Sequence, residues 1–179
     1  MKKILVDSGC DLMNIENLAE GIAYDRVPLK ILMGDKEFVD DETLDVAQMV
    51  EEMYAYSGKT SSACPSPEEW ATHFREADEC YVITITGTLS GSHNSAMVAK
   101  YMVEEEAPTK KIYVLDSLSA GMEMTLLVKK LQELLEAGTP FEEVCRQMDA
   151  YSRNNTRLVF ILYSIHNLVK NGRVSKIAG

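Results

Sequence analysis

Four short runs stand out because nearly every position in them is apolar, β-branched or aromatic: KKILV from Lys2, YVITI from Tyr81, KIYVL from Lys111 and RLVFIL from Arg157. They lack the strict apolar–polar alternation of a half-wet sheet, which is the look of parallel strands buried on both faces. Between them the spacing becomes helical. In SAGMEMTLLVKKLQELLEAG, Met124, Leu127, Val128, Leu131 and Leu135 fall on one face, and Gly138 stops the helix. Ser66-Pro67-Glu68-Glu69 and Thr139-Pro140-Phe141-Glu142 each offer an N-cap hydroxyl, a proline at the first helical position and a glutamate at the third. In VPLKILMGDKEFVDD, Leu29, Ile31 and Met33 alternate with other residues before Gly34-Asp35, which predicts a hairpin-like excursion. The pattern as a whole predicts an α/β three-layer domain with a mainly parallel sheet.

Composition narrows what such a domain does. With 179 residues, 46% hydrophobic and 26% charged, one domain with a substantial core fits. The net charge of -10 and the scattered lysines and arginines leave no basic stripe for a phosphate backbone, so nucleic acid is not an expected partner. An anionic membrane surface repels such a chain, and no apolar run approaches the roughly 20 residues that span a bilayer, so stable membrane insertion is not expected. The apolar run of the N-terminus is broken at Asp7, unlike a signal peptide, and a cytoplasmic location is the expectation. Cys10, Cys64, Cys80 and Cys145 form no CxxC and fit reduced thiols better than a disulfide framework or a zinc site.

In an open α/β sheet, ligands collect outside the carboxyl ends of the strands. Here the loops at those ends are rich in hydroxyls: Asp7-Ser8-Gly9-Cys10-Asp11, Thr86 through Ser92, and Asp116 through Ser119, joined by GKTSSACPS before the next helix. Converging loops of this kind offer hydroxyl donors and helix N-terminal amides to a modest anion, a carboxylate or a phosphate oxygen. Each feature also has a purely structural reading. Ser66 is an N-cap, one of Ser90 and Ser92 is a cap, and Asp7 and Asp116 pin their loops as Asx-turns; Thr86 and Thr88 are left without such a role. His73, His93 and His166 show no metal-site spacing, and the chain has no GxSxG elbow, no GxxxxGK[ST] loop and no dinucleotide fingerprint.

Five ordered segments, DSGCDL from Asp7, TSSACPSPEEW from Thr60, TLSGSHNSA from Thr88, VLDSLSAGM from Val114 and NGRVSK from Asn171, together with VPLKILMGDKEFVDD, resemble the DegV family along the whole chain. The resemblance implies a non-catalytic protein that binds one long-chain fatty acid between two α/β domains. It also implies a kinase partner, the fatty acid kinase catalytic subunit, which phosphorylates the bound carboxylate to an acyl phosphate for phospholipid synthesis. The fatty acid is a ligand, and no cofactor or metal is implied. By this likeness the carboxylate is held by hydroxyls of the TSxPS and LSG motifs, which fall on Thr60, Ser61 and Ser62 and on Ser90 with Gly91. TSSACPS is longer than TSxPS, so alignment from Lys59 selects Thr60 and alignment from Pro65 selects Ser62. Arg173 matches the arginine of the family's GGR segment, with Asn171 in place of the first glycine, and is expected to position the head group or the phosphoryl group. The likeness further divides the chain into a DegV-like domain over residues 1–155 and the beginning of a second, largely missing α/β domain over 156–179.

Two other classes fit the residues. One is a small phosphoryl-transfer enzyme, in which Asp7-Ser8-Gly9 is a phosphate loop and Asp116 holds magnesium. The other is an interaction module whose hydroxyl loops are caps and nothing more.

Overall fold

The computed structural model describes residues 1–157. The run after Arg157, the SIHNLVK segment with His166, and Asn171 and Arg173 lie outside the described residues. Strands β1 (Lys2–Asp7), β2 (Ile22–Val27), β6 (Glu79–Thr84) and β7 (Lys111–Asp116) form one wholly parallel sheet in the order β2-β1-β6-β7. In β1 and β6 both faces are apolar because both are covered. Ile4, Val6, Tyr81 and Ile83 pack against Met124, Leu127, Val128 and Leu131 of α4 (Met122–Glu136) and Val144 and Met148 of α5 (Phe141–Asn154). Leu5 and Val82 point the other way, onto Trp70 and Phe74 of α2 (Pro67–Arg75) and Ala96, Ala99 and Val103 of α3 (Ser92–Glu106). This is the expected three-layer arrangement. Strand β2, which the periodicity does not announce, carries Asp25 and Arg26 at half-buried positions because it is a sheet edge.

The excursion after β2 is a hairpin of β3 (Lys30–Met33) and β4 (Lys36–Val39), turned at Gly34-Asp35, followed by α1 (Val46–Ala55). One expectation is corrected here. Thr60–Ala63, read as a loop, is strand β5, paired antiparallel to β3 with Thr60 opposite Met33 and Ser62 opposite Ile31. Strand pairing supplies the partners that a turn would have needed, so the hydroxyls sit on an edge strand of a second, three-stranded sheet.

The helix boundaries divide similarly. Ser66 makes the full capping box, accepting from the Glu69 amide at 3.2 Å while its own amide donates to Glu69 Oε2 at 2.6 Å. Thr139 does not cap α5; Pro140 is the cap residue and no side chain bonds there. The reason is the end of α4. Gly138, at φ 70°, donates to Leu135 and Thr139 donates to Leu134, a Schellman closure that commits Thr139 to the preceding helix.

Candidate functional site

The loops at the carboxyl ends of β1, β6 and β7 are tied into one unit. The Thr86 amide donates to the Ser119 carbonyl at 2.8 Å, and the Gly121 amide to the Gly9 carbonyl at 2.7 Å. Asp116 does what the Asx-turn reading required: Oδ1 accepts from Leu118 at 3.0 Å, and both oxygens accept from Gly87, at 3.2 and 3.3 Å. Thr86 and Thr88 acquire a structural role that the sequence did not show. Their hydroxyls lie 3.1 Å apart, and the Thr88 amide donates to Thr86 Oγ1 at 3.4 Å.

Above this unit is a cavity of about 570 Å³. One wall is the end of β5, with Ser62, and Cys64 just past it, and the other is the β6–α3 loop, with Ser90 and Gly91 and then His93 and Asn94 in the first turn of α3. The N-terminus of a fifteen-residue helix therefore faces the cavity, bringing its partial positive charge. Among the described residues the lining contains no lysine or arginine. Of the residues expected to hold an anion, the structure brings together Ser62, Ser90 and Gly91; Thr60 and Ser61 are not in the lining. Arg173 is outside the described residues.

Neither Ser90 nor Ser92 is the cap residue of α3; Gly91 is. Ser90 Oγ accepts from the Ser92 amide at 3.2 Å, and Ser92 Oγ donates to Asp7 Oδ2 at 2.5 Å. His93, set aside on spacing, is a wall residue, with Nδ1 3.3 Å from the hydroxyl of Thr84. Asp7 lies beneath, fully buried. Its carboxyl is pushed up to about 6 by burial, against the lowering effect of bonds from Ser92, Ile85 and Gly9 and the charge of Arg26.

A second polar cluster lies at the β2 edge. Asp25, His73 and Glu76 place a ligand atom each within 4.8 Å of one another. Lys3, 3% exposed, already supplies the cation, with Nζ 2.5 Å from Asp25 Oδ2, bonded to Glu76 and 3.5 Å from His73 Nδ1. Burial lowers the Lys3 pKa, but the bonds and charges of Asp25 and Glu76 more than reverse this and hold it above its ordinary value. The four cysteines are free, and no helix among the described residues is long and apolar enough to cross a membrane.

Residues 1–179 match the family described as "Uncharacterised protein, DegV family". A DegV domain-containing protein of Streptococcus pyogenes serotype M1 is 50% identical over 99% of this chain, which spans 63% of that relative's length. The Streptococcus pneumoniae fatty acid kinase (Fak) B3 protein, solved loaded with linoleic acid, superposes with a TM-score of 0.95 at 48% identity, covering 99% of this chain and 63% of that one. A DegV family protein from Eubacterium eligens, loaded with heptadecanoic acid, gives 0.88 at 36% identity over 99% of this chain and 62% of its own.

Proposed function

The chain belongs to the DegV family, and from that premise we propose that it binds a long-chain fatty acid and presents it to a fatty acid kinase for phosphorylation to an acyl phosphate. The carboxylate is assigned to Ser62, Ser90 and the amides at Gly91 and the first turn of α3. The observation that carries this is the cavity, walled among the described residues by hydroxyls and a helix N-terminus. Such a wall stabilises one negative charge through hydrogen bonds and avoids the desolvation penalty of a buried ion pair. The tail supplies most of the affinity, at about 0.8 kcal/mol per buried CH₂. Exposed Leu89 and Leu118, on adjoining loops, are apolar surface for its first methylenes.

A carboxylate held by hydroxyls keeps an oxygen available to attack a nucleotide's phosphorus, which is why the chemistry is assigned to a partner and the carrier's role to this chain. Arg173 is assigned on the sequence resemblance alone to positioning the head group or the incoming phosphoryl group. Mass spectrometry of lipid extracted from the purified protein tests the reading. A co-purified long-chain fatty acid is the expected result. A magnesium-dependent thermal shift with nucleotide and no lipid favours the phosphoryl-transfer class, and no ligand of either kind favours the interaction module.

A further inference from the structure

Asp7 ends β1, and no atom of it belongs to the cavity wall. Its carboxylate nevertheless holds both ends of the loop that forms most of that wall. Oδ2 accepts from the amide of Ile85, just after β6, at 2.9 Å, and from the hydroxyl of Ser92, the first residue of α3, at 2.5 Å. Oδ1 accepts from the Gly9 amide at 3.1 Å. Between the clamped ends run Gly87, Thr88, Leu89, Ser90 and Gly91, all in the wall. The backbone is shaped around the carboxylate, since a Cβ at Gly9 would lie 2.9 Å from Asp7 Oδ1 and 3.1 Å from Ile85 Cβ. Ser92 passes the constraint on, because its amide donates to Ser90 Oγ.

Resting on the fatty acid reading above, we propose that Asp7 is a positioning residue that sets Ser90 and Gly91 for the ligand's carboxylate, and that protonation of Asp7 loosens the loop and releases the acid. An ionised carboxylate only accepts, which suits three donors. The neutral acid must donate through one oxygen, yet two of its three partners are amides that cannot accept. Protonation therefore sets a hydroxyl against an N–H or turns the Ser92 hydroxyl away. The other groups acting on Asp7 are the Arg26 guanidinium on β2 and the Cys10 thiol on the β1 loop, while β6 and α3 meet it with an amide and a hydroxyl. Among the described residues the titratable groups of the cavity wall are Cys64 and His93, and His93, also on α3, is paired with Thr84.

The sign of the stability effect is opposite to that of binding. Folding raises the carboxyl from 3.8 to about 6, so its contribution to stability is complete below 3.8 and is lost as pH rises through about 6. Acidification thus weakens the clamp without unfolding the protein through this group.

The test is a titration of a fluorescent fatty acid across pH, paired with amide NMR signals of Ile85 and Gly91 in the ligand-free protein. Affinity is expected to fall roughly tenfold, the equivalent of one bond to a charged group, with a midpoint at about 6 shared by both amides. Asp7→Asn is expected to bind weakly at every pH with a flat profile. Ser92→Ala removes a bond to the ionised form, so it moves an Asp7 midpoint upward, whereas a midpoint set by a group that Ser92 does not touch stays in place. An unmoved midpoint in Ser92→Ala, or an unchanged profile in Asp7→Asn, overturns the proposal. Loss of thermal stability in parallel with affinity between neutral pH and the midpoint also overturns it. If the amides titrate as stated while no fatty acid binds at any pH, the clamp stands and the fatty acid reading falls.

Discussion

The wall between β5 and α3 and the cluster around Lys3 both gather polar groups at the margin of the parallel sheet, and they do so in opposite ways. Around Lys3 the charges answer one another: a buried ammonium meets two carboxylates and an imidazole, and its donors are used. At the cavity the lining has no cation among the described residues, and it offers hydroxyls and a helix N-terminus. A saturated cluster has little left for a ligand, whereas hydroxyls keep further donor and acceptor capacity. Counting acidic and histidine side chains would have chosen the first region as the site; asking which groups retain capacity chooses the second.

The largest expected effect breaks the Lys3 side of the comparison. Asp25→Ala combined with Glu76→Ala leaves Lys3 buried and without a carboxylate. Leaving a buried charge uncompensated costs about 3 to 5 kcal/mol, and the lower end is expected because the carboxylate side chains are 42% and 52% exposed. Denaturant unfolding should show this loss. Fatty acid affinity should not change, because no residue of the cluster lines the cavity. Unchanged stability would mean that Lys3 reaches water and that the two regions differ less than stated.

An intermediate effect sharpens the cavity side. Ser90→Ala removes a proposed bond to a charged ligand, which is worth about 1.5 to 3 kcal/mol of affinity. It also removes the acceptor for the Ser92 amide, a cap-like bond worth about 1 kcal/mol of stability. Isothermal titration and thermal melting separate the two. Lower stability with full affinity would reduce Ser90 to a structural hydroxyl.

Much of the fold was legible in sequence, and the reasons are local. β1 and β6 declare themselves because central parallel strands are apolar on both faces, β7 because its run is apolar even though it ends the described sheet, and α4 because its buried stripe holds the helical period. What escaped depends on distant partners. β2 is half polar because it is an edge, β5 is a strand only because β3 pairs with it, and Thr139 is claimed by the end of α4. The site divides in the same way. Strand ends pointed to loops that meet at the cavity, and Ser90, named from its motif, lines it. The reach of Asp7 to Ile85 and Ser92, 78 and 85 positions away, has no local signature, so sequence showed the Asx-turn to Gly9, which forms, and not the clamp beyond it.

The smallest expected effect concerns the hydroxyl run, where alignment left Thr60 and Ser62 as equals. In a β-strand the side chains alternate, so Thr60 and Ser62 share a face and Ser61 opposes them. The choice between Thr60 and Ser62 is therefore one of distance along the strand. Ser62 is next but one to Cys64 at the cavity end of β5 and lines the wall, whereas Thr60 lies two residues further back, opposite Met33. Ser62→Ala should weaken fatty acid binding by about 1 to 2 kcal/mol, the range in which a neutral hydrogen bond gives way to a charge-assisted one. Thr60→Ala should leave affinity unchanged within about 0.5 kcal/mol, as for a substitution away from any special contact. Ser61→Ala serves as the opposite-face control and should match Thr60→Ala. A loss at Thr60 equal to that at Ser62 would place the carboxylate along the strand instead of at its end, and would move the proposed head-group position away from the N-terminus of α3.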